Sequence, residues 1–180
     1  MGTRKTIPAT EIEAAFRSLA QAIASRHRDT LRLVLLGIAR GGTSVCWRLA
    51  SLLSGEFGNR PAVGTLNVAF HRDDIGRNPI PTFAGETVIP GDLEGATVIL
   101  VDDVLFSGRT VRAALEEIFS CGRPGRVELA VLVDRGNRRL PFAADYIGFT
   151  EATTPEEMVR VALHPDDASQ DLITIINPAA

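Results

Sequence analysis

The stretch Thr97 to Thr110, TVILVDDVLFSGRT, constrains this chain more than any other. Val98-Ile99-Leu100-Val101 is the apolar, β-branched run of a buried strand. Two adjacent carboxylates, Asp102 and Asp103, stand where that strand is expected to end. A Ser-Gly turn follows, and Thr110 opens a helical pattern. In open α/β sheets ligands bind outside the carboxyl ends of the strands. A helix start there offers backbone N–H groups without intrahelical partners and the positive end of the helix dipole, which suit a phosphate. Two carboxylates beside an anion cradle are the parts needed to handle a phosphorylated sugar.

The rest of the chain alternates strand and helix patterns around that motif. Thr10-Glu11-Ile12-Glu13 reads as a capping box. The helix behind it places Ile12, Phe16, Leu19, Ala20 and Ile23 on one stripe as far as about His27, with Arg17, Ser18 and Gln21 on the outer face. Leu31 to Ile38 is a short strand that runs into Ala39-Arg40-Gly41-Gly42-Thr43, a second strand-loop-helix junction with glycines at its turn. A helix over Thr43 to Leu53 is expected to end near Gly55 and Gly58, and Val63 to Phe70 to form a strand. His71 to Pro90 has no periodicity, and reads as an active-site lid, with a hairpin arm around Thr82-Phe83 and Thr87-Ile89, or as a surface insertion. After the motif, Thr110 to Cys121 is helical with Val111, Ala114, Leu115 and Ile118 inward. Strands are expected over Val127 to Val133, Asp145 to Phe149, Met158 to Leu163 and Leu172 to Ile176. This order predicts a single α/β domain, 1–180, with a mostly parallel central sheet flanked by helices.

Composition removes several function classes. A net charge of -3 gives no electrostatic case for bulk nucleic-acid binding, although a local basic patch is compatible with it. Lys5 is the only lysine, and no G-x-x-x-x-G-K-[ST] occurs, so Asp102-Asp103 is not the acid pair of a P-loop nucleotide hydrolase. His27, His71 and His164 lack metal-ligand spacing. Cys46 and Cys121 lie in apolar helical patterns and are expected to pack rather than to work. No apolar run approaches the ~20 residues of a membrane span, and the N-terminus has no signal-peptide core, which together predict a cytoplasmic protein.

VILVDDVLFSGRT closely resembles the phosphoribosyl-pyrophosphate (PRPP) signature of type I phosphoribosyltransferases. His71-Arg72-Asp73-Asp74, Gly122-Arg123-Pro124, LAVLVDRGNRRLP (Leu129 to Pro141) and Ala144 to Gly148 resemble the PyrR branch, over about Glu11 to Ile176. The resemblance implies a type I phosphoribosyltransferase fold with a flexible lid or hairpin over the active site. It also implies two activities: uracil phosphoribosyltransferase, making UMP and pyrophosphate from uracil and PRPP with Mg²⁺, and regulation of the pyrimidine operon by binding leader mRNA. Residue by residue, Asp102 and Asp103 would hold the ribose hydroxyls, directly or through Mg²⁺. The backbone N–H groups of Phe106, Ser107, Gly108, Arg109 and Thr110, with the Ser107 and Thr110 hydroxyls, would cradle the 5′-phosphate, and Val104 and Leu105 would belong to the same PRPP- and UMP-binding segment. Arg40 and Gly41 would bind pyrophosphate, in a loop that in this family often holds a non-proline cis peptide, and Arg72 would close over it from the lid. Arg135 and Val159 would lie at the nucleobase. Arg17, Arg138 and Arg139 would meet RNA, and the chain would form a homodimer or a higher homo-oligomer. The remaining alternative is a phosphoribosyltransferase for another base without a role in RNA binding.

The chain also departs from the family pattern. Phe106 and Ser107 stand where Tyr and Thr are usual, which keeps the second hydroxyl and removes the first. Asn137 replaces a His, Phe142-Ala143-Ala144 lacks an Arg, and Ser18 and Gln21 stand where Arg and His are expected. Fewer phosphate contacts weaken RNA binding and its salt dependence together. The motif therefore points more firmly to catalysis than to RNA.

Overall fold

The computed structural model describes residues 2–68 and 86–177, and for Ala39 and Arg40 the backbone alone. Five parallel strands form the central sheet: β2 (Leu33–Ile38), β3 (Ala62–Leu66), β4 (Thr97–Leu105), β5 (Arg126–Asp134) and β6 (Tyr146–Thr150), in the order β3-β2-β4-β5-β6. Helices α1 (Ala9–His27) and α2 (Ala39–Phe57) cover one face. Helix α3 (Arg109–Cys121) covers the other. Both faces of the sheet are therefore buried, and β4 and β5 read as continuous apolar runs for that reason.

A second, antiparallel sheet has the order β1-β8-β7, from β1 (Gly2–Pro8), β7 (Met158–Ala162) and β8 (Leu172–Asn177). Its inward residues, Ile7, Ile173 and Val161, pack into the α1/α2 side of the core. Strand β1 is absent from the sequence expectation. GTRKTIP is polar and carries only one buried side chain, Ile7, and its partner strand is about 170 residues away in the chain. This strand also displaces the expected capping box. Pairing continues through Pro8↔Leu172 and delivers the chain straight into α1 at Ala9. Pro8 is the N-cap and Thr10 lies inside the first turn, with no side-chain cap bond.

Two other boundaries move toward the ligand edge. Helix α2 begins at Ala39, so Arg40, Gly41 and Gly42 form its first turn rather than a loop. It ends, as expected, at Gly58, whose left-handed φ of 75° and N–H bond to the Ser54 carbonyl close the helix. Strand β4 runs to Leu105, so Asp102 and Asp103 lie within it, not beyond it. The expected strand at Val63 shortens to Ala62–Leu66, and Val88 pairs with Thr65 in an isolated antiparallel bridge. Residues 71–85 of the expected lid, with Arg72 and Thr82-Phe83, lie outside the described residues. No peptide bond is cis among the described residues. Cys46 is buried, with its thiol pushed up to about 12 by burial, whereas Cys121 is exposed at the end of α3, against the packing expectation.

Candidate active site

The strand order creates the site. From β2 the chain crosses through α2 to β3 on one side, and from β4 it crosses through α3 to β5 on the other. The reversal falls between β2 and β4, where α2 and α3 leave on opposite faces, and that crevice is where an open α/β sheet binds ligands. Pairing between β2 and β4 stops at Gly37↔Val101, the last register before the two carboxylates. Beyond it β4 keeps, among the described strands, only β5 as a paired neighbour, through Asp102↔Val131 and Val104↔Val133.

The two junctions meet in this crevice, the backbone of one against the carboxylates of the other. A Cβ on Gly41 would overlap the Asp103 carboxylate, and one on Gly42 would overlap the Val101 carbonyl and come within 3.0 Å of the Asp102 Cα. Only residues without side chains let the first turn of α2 lie against the end of β4 this closely. Asp102 is buried, and its Oδ1 accepts the Asp103 N–H at 3.0 Å. The Asp103 Oδ1 accepts the Val104 N–H at 3.0 Å, which fixes its rotamer toward Gly41.

The next turn is built to present backbone donors. Gly108 holds a φ of 90° as N-cap of α3, and the buried Ser107 hydroxyl accepts the Arg109 N–H at 3.3 Å. The Ser107 carbonyl accepts from the Arg139 and Leu140 amides at 3.0 Å each, and the Leu105 carbonyl from the Arg135 amide at 3.1 Å. The first turn of α3 leaves its amides without intrahelical acceptors. The sequence shows the donors of this loop and hides the segment behind it, Asp134 to Phe142, whose bonds to the loop join residues about 30 apart.

The other expected residues fall as follows. Arg135 is buried, donates to the Thr153 hydroxyl (2.9 Å) and the Thr154 carbonyl (2.7 Å), and stacks over the Phe106 ring at 4.2 Å. Burial lowers its pKa below the ordinary arginine value, partly offset by Glu157. Val159 is half-buried in β7, paired with Ile175. Arg17 is exposed and bonded to Glu13 along α1, and Arg139 is exposed. Arg138 is turned back into the protein. Thr153, Thr154 and Glu157 were not legible from sequence as neighbours of Arg135, since that loop carries no pattern of its own.

The donor set at the carboxylates is oxygen only, which suits a hard cation held largely through a ligand's own oxygens. Among the described residues no cluster of three or more His, Cys, Asp or Glu could hold a metal alone. The two carboxylates therefore fit Mg²⁺ brought in with a phosphate ligand better than a resident metal. A separate cleft of about 610 Å³ opens at the opposite edge of the sheet, lined in part by Thr30, Arg32, Val34, Arg60 and Ala62. Among the described residues, none of those expected at the site lines it.

This fold and crevice define a phosphoribosyltransferase. The Phosphoribosyl transferase domain family matches residues 8–166. Solved hypoxanthine phosphoribosyltransferases share the architecture: that of Trypanosoma cruzi superposes with a TM-score of 0.70 over 97% of this chain and 92% of its own, at 20% identity. A hypoxanthine-guanine phosphoribosyltransferase of Bacillus anthracis gives 0.68 over 98% and 100%, at 16% identity. Closer relatives specify the branch. The Bifunctional protein PyrR of Roseiflexus sp. is 40% identical over 100% of this chain and 98% of its own length. That of Streptomyces coelicolor is 41% identical over 98% and 92%. The chain belongs to the PyrR family. Phosphoribosyltransferases as a class use Mg²⁺ with PRPP. Among the described residues no helix is long and apolar enough to cross a membrane.

Proposed function

We propose that this protein, as one phosphoribosyltransferase domain over 1–180, transfers the phosphoribosyl group of PRPP to uracil, releasing UMP and pyrophosphate. The same nucleotide site would govern its binding to a pyrimidine leader mRNA. The observation that carries the reading is the approach of Gly41 to Asp103 across the switch point. It sets the residues expected for pyrophosphate beside those expected for ribose, as breakage of the bond between them requires.

The reaction breaks the bond from the ribose anomeric carbon to a pyrophosphate oxygen and joins that carbon to a ring nitrogen of uracil, which gives up its proton. Positive charge develops on the sugar and negative charge on the leaving group. Asp102 and Asp103 orient the ribose hydroxyls and lie next to the cationic sugar. The amides of Phe106, Ser107, Gly108, Arg109 and Thr110, with the Ser107 and Thr110 hydroxyls, hold the 5′-phosphate, while Val104 and Leu105 carry the end of the strand into that turn. Arg40 and the amide of Gly41 receive the pyrophosphate, and Arg72 closes over it. Asp102 or Asp103 would hold Mg²⁺ brought in with PRPP, and that ion would supply charge to neutralise the phosphates. Arg135, fixed by Thr153 and Thr154, and Val159 supply the wall for the base. Arg17 and Arg139 present exposed charge suited to RNA phosphates. A cytoplasmic homo-oligomer belongs to the same reading.

The test is an assay of the purified protein with PRPP, Mg²⁺ and a panel of bases. UMP formation from uracil alone is expected. Turnover of a purine base instead would reassign the specificity, and no turnover with any base would remove the enzyme reading. For regulation, UMP is expected to tighten binding to a pyrimidine leader RNA, whereas equal weak affinity for unrelated RNA, untouched by UMP, would contradict it.

A further inference from the structure

In a trans peptide the C=O of one residue and the N–H of the next share a plane and point in opposite directions. A loop that offers successive N–H groups to a phosphate must therefore turn the preceding carbonyls away, and those carbonyls need donors of their own. Here the donors come from the segment after β5. The Arg138 Nη1 lies 2.8 Å from the Phe106 carbonyl oxygen and 3.3 Å from that of Leu105. The same guanidinium donates to the carbonyls of Gly136 (3.1 Å) and Phe142 (3.0 Å), and its Nη2 pairs with Asp134 at 2.5 Å. Asp134 is itself set by the Gly136 N–H at 2.9 Å. The Ser107 carbonyl is held by backbone amides and the Leu105 carbonyl also by the Arg135 amide, so the Phe106 carbonyl is the one that depends most on Arg138.

We propose that Arg138 is a positioning residue for phosphate binding: by fixing the Leu105 and Phe106 carbonyls outward, it turns the Phe106 and Ser107 amides toward the ligand. The proposal rests on the reading of this loop as the PRPP phosphate site. It assigns Arg138 differently from the family resemblance, which would place it on RNA. Its Nη1 serves this loop, while its Nε and Nη2 are engaged by the Phe142 carbonyl and the Asp134 carboxylate, so most of the guanidinium N–H groups are spent within the protein. Any loss of RNA affinity on removing Arg138 would then follow from a disordered nucleotide loop.

The test compares wild type, Arg138→Ala and Arg138→Lys by steady-state kinetics, with the Ser107 amide resonance as a structural readout. Arg138→Ala is expected to raise the KM for PRPP about tenfold, the scale of a lost charged hydrogen bond. The KM for the base should change by less than about twofold, since only the phosphate loop is released. The Ser107 amide should shift, Arg138→Lys should recover part of the loss, and added methylguanidine should rescue the alanine variant. If Arg138→Ala does not fold, Asp134→Asn carries the test, with a PRPP KM raised about threefold and the base KM unchanged. A wild type that binds PRPP and an Arg138→Ala variant with normal PRPP KM would overturn the positioning role alone. A wild type that binds no PRPP would overturn the phosphate-site reading itself.

Discussion

At the N-terminal edge of the parallel sheet Glu128 is 2% exposed, and its Oε2 accepts from the Tyr146 hydroxyl at 2.6 Å and from His27 Nε2 at 2.8 Å. Its Oε1 lies 2.7 Å from Arg126 and 3.2 Å from Arg26, at angles that make ion pairs rather than hydrogen bonds. At the C-terminal edge Asp102 and Asp103 each take a backbone amide from their own strand and face a glycine turn. Both edges hold carboxylates on central strands, yet one is closed by side-chain partners from α1 and β6 while the other is bordered by residues without side chains. The first arrangement stabilises the fold. The second leaves room for a ligand that brings its own charges.

Variants can separate the two uses. The largest effect is expected from Glu128→Ala, at about 3 kcal/mol of stability in chemical denaturation. Tyr146 and His27 lose their acceptor, while the half-exposed arginines can turn to solvent. Activity per folded molecule should persist, and its collapse in fully folded protein would join the two edges functionally. Gly41→Ala comes next, because its Cβ would push Asp103 off the Val104 amide. A loss of about 100-fold in kcat/KM, about 2.7 kcal/mol, is expected without much change in denaturation midpoint. Near-wild-type kinetics in that variant would show that the crevice is not the reacting site.

Asp103→Asn should lower turnover at least about tenfold, or about 1.4 kcal/mol, by removing one ribose-facing charge. Unchanged turnover would refute that role. Tyr146→Phe should cost about 1 kcal/mol of stability and leave kinetics alone; a kinetic defect would blur the comparison. The smallest effect concerns pH. Burial pushes the Glu128 carboxyl up, but hydrogen bonds from Tyr146 and His27 and the charges of His27 and Arg26 outweigh it, leaving its pKa below the ordinary 4.5. A carboxyl held lower in the folded than in the unfolded state adds stability that is full above about 4.5 and is lost as pH falls. Glu128→Gln should flatten this acid limb, and an unchanged acid transition would argue against the linkage.

The same contrast explains what could be read in advance. The Asp102 to Thr110 junction of β4 and α3 was legible because its strand, acids, turn and helix start are contiguous. The Gly41 junction was legible as a glycine turn between strand and helix, but not its seat within the first turn of α2. The His27–Glu128–Tyr146 cluster was invisible, since its bonds span 101, 18 and 119 residues. Arg138 illustrates a different limit: an arginine in a charged loop reads as surface, and only the position of the Phe106 carbonyl shows that it faces inward. Strand β1 failed for a third reason, having almost no apolar side chain to bury.

The most direct measurement is amide chemical-shift mapping of the protein titrated with PRPP and Mg²⁺. The largest shifts are expected at Gly41, Gly42 and Asp102 to Thr110, with His27 and Tyr146 unmoved. Shifts centred instead on Thr30 to Val34 and Ala62, around the 610 Å³ cleft at the opposite edge, would contradict the assignment.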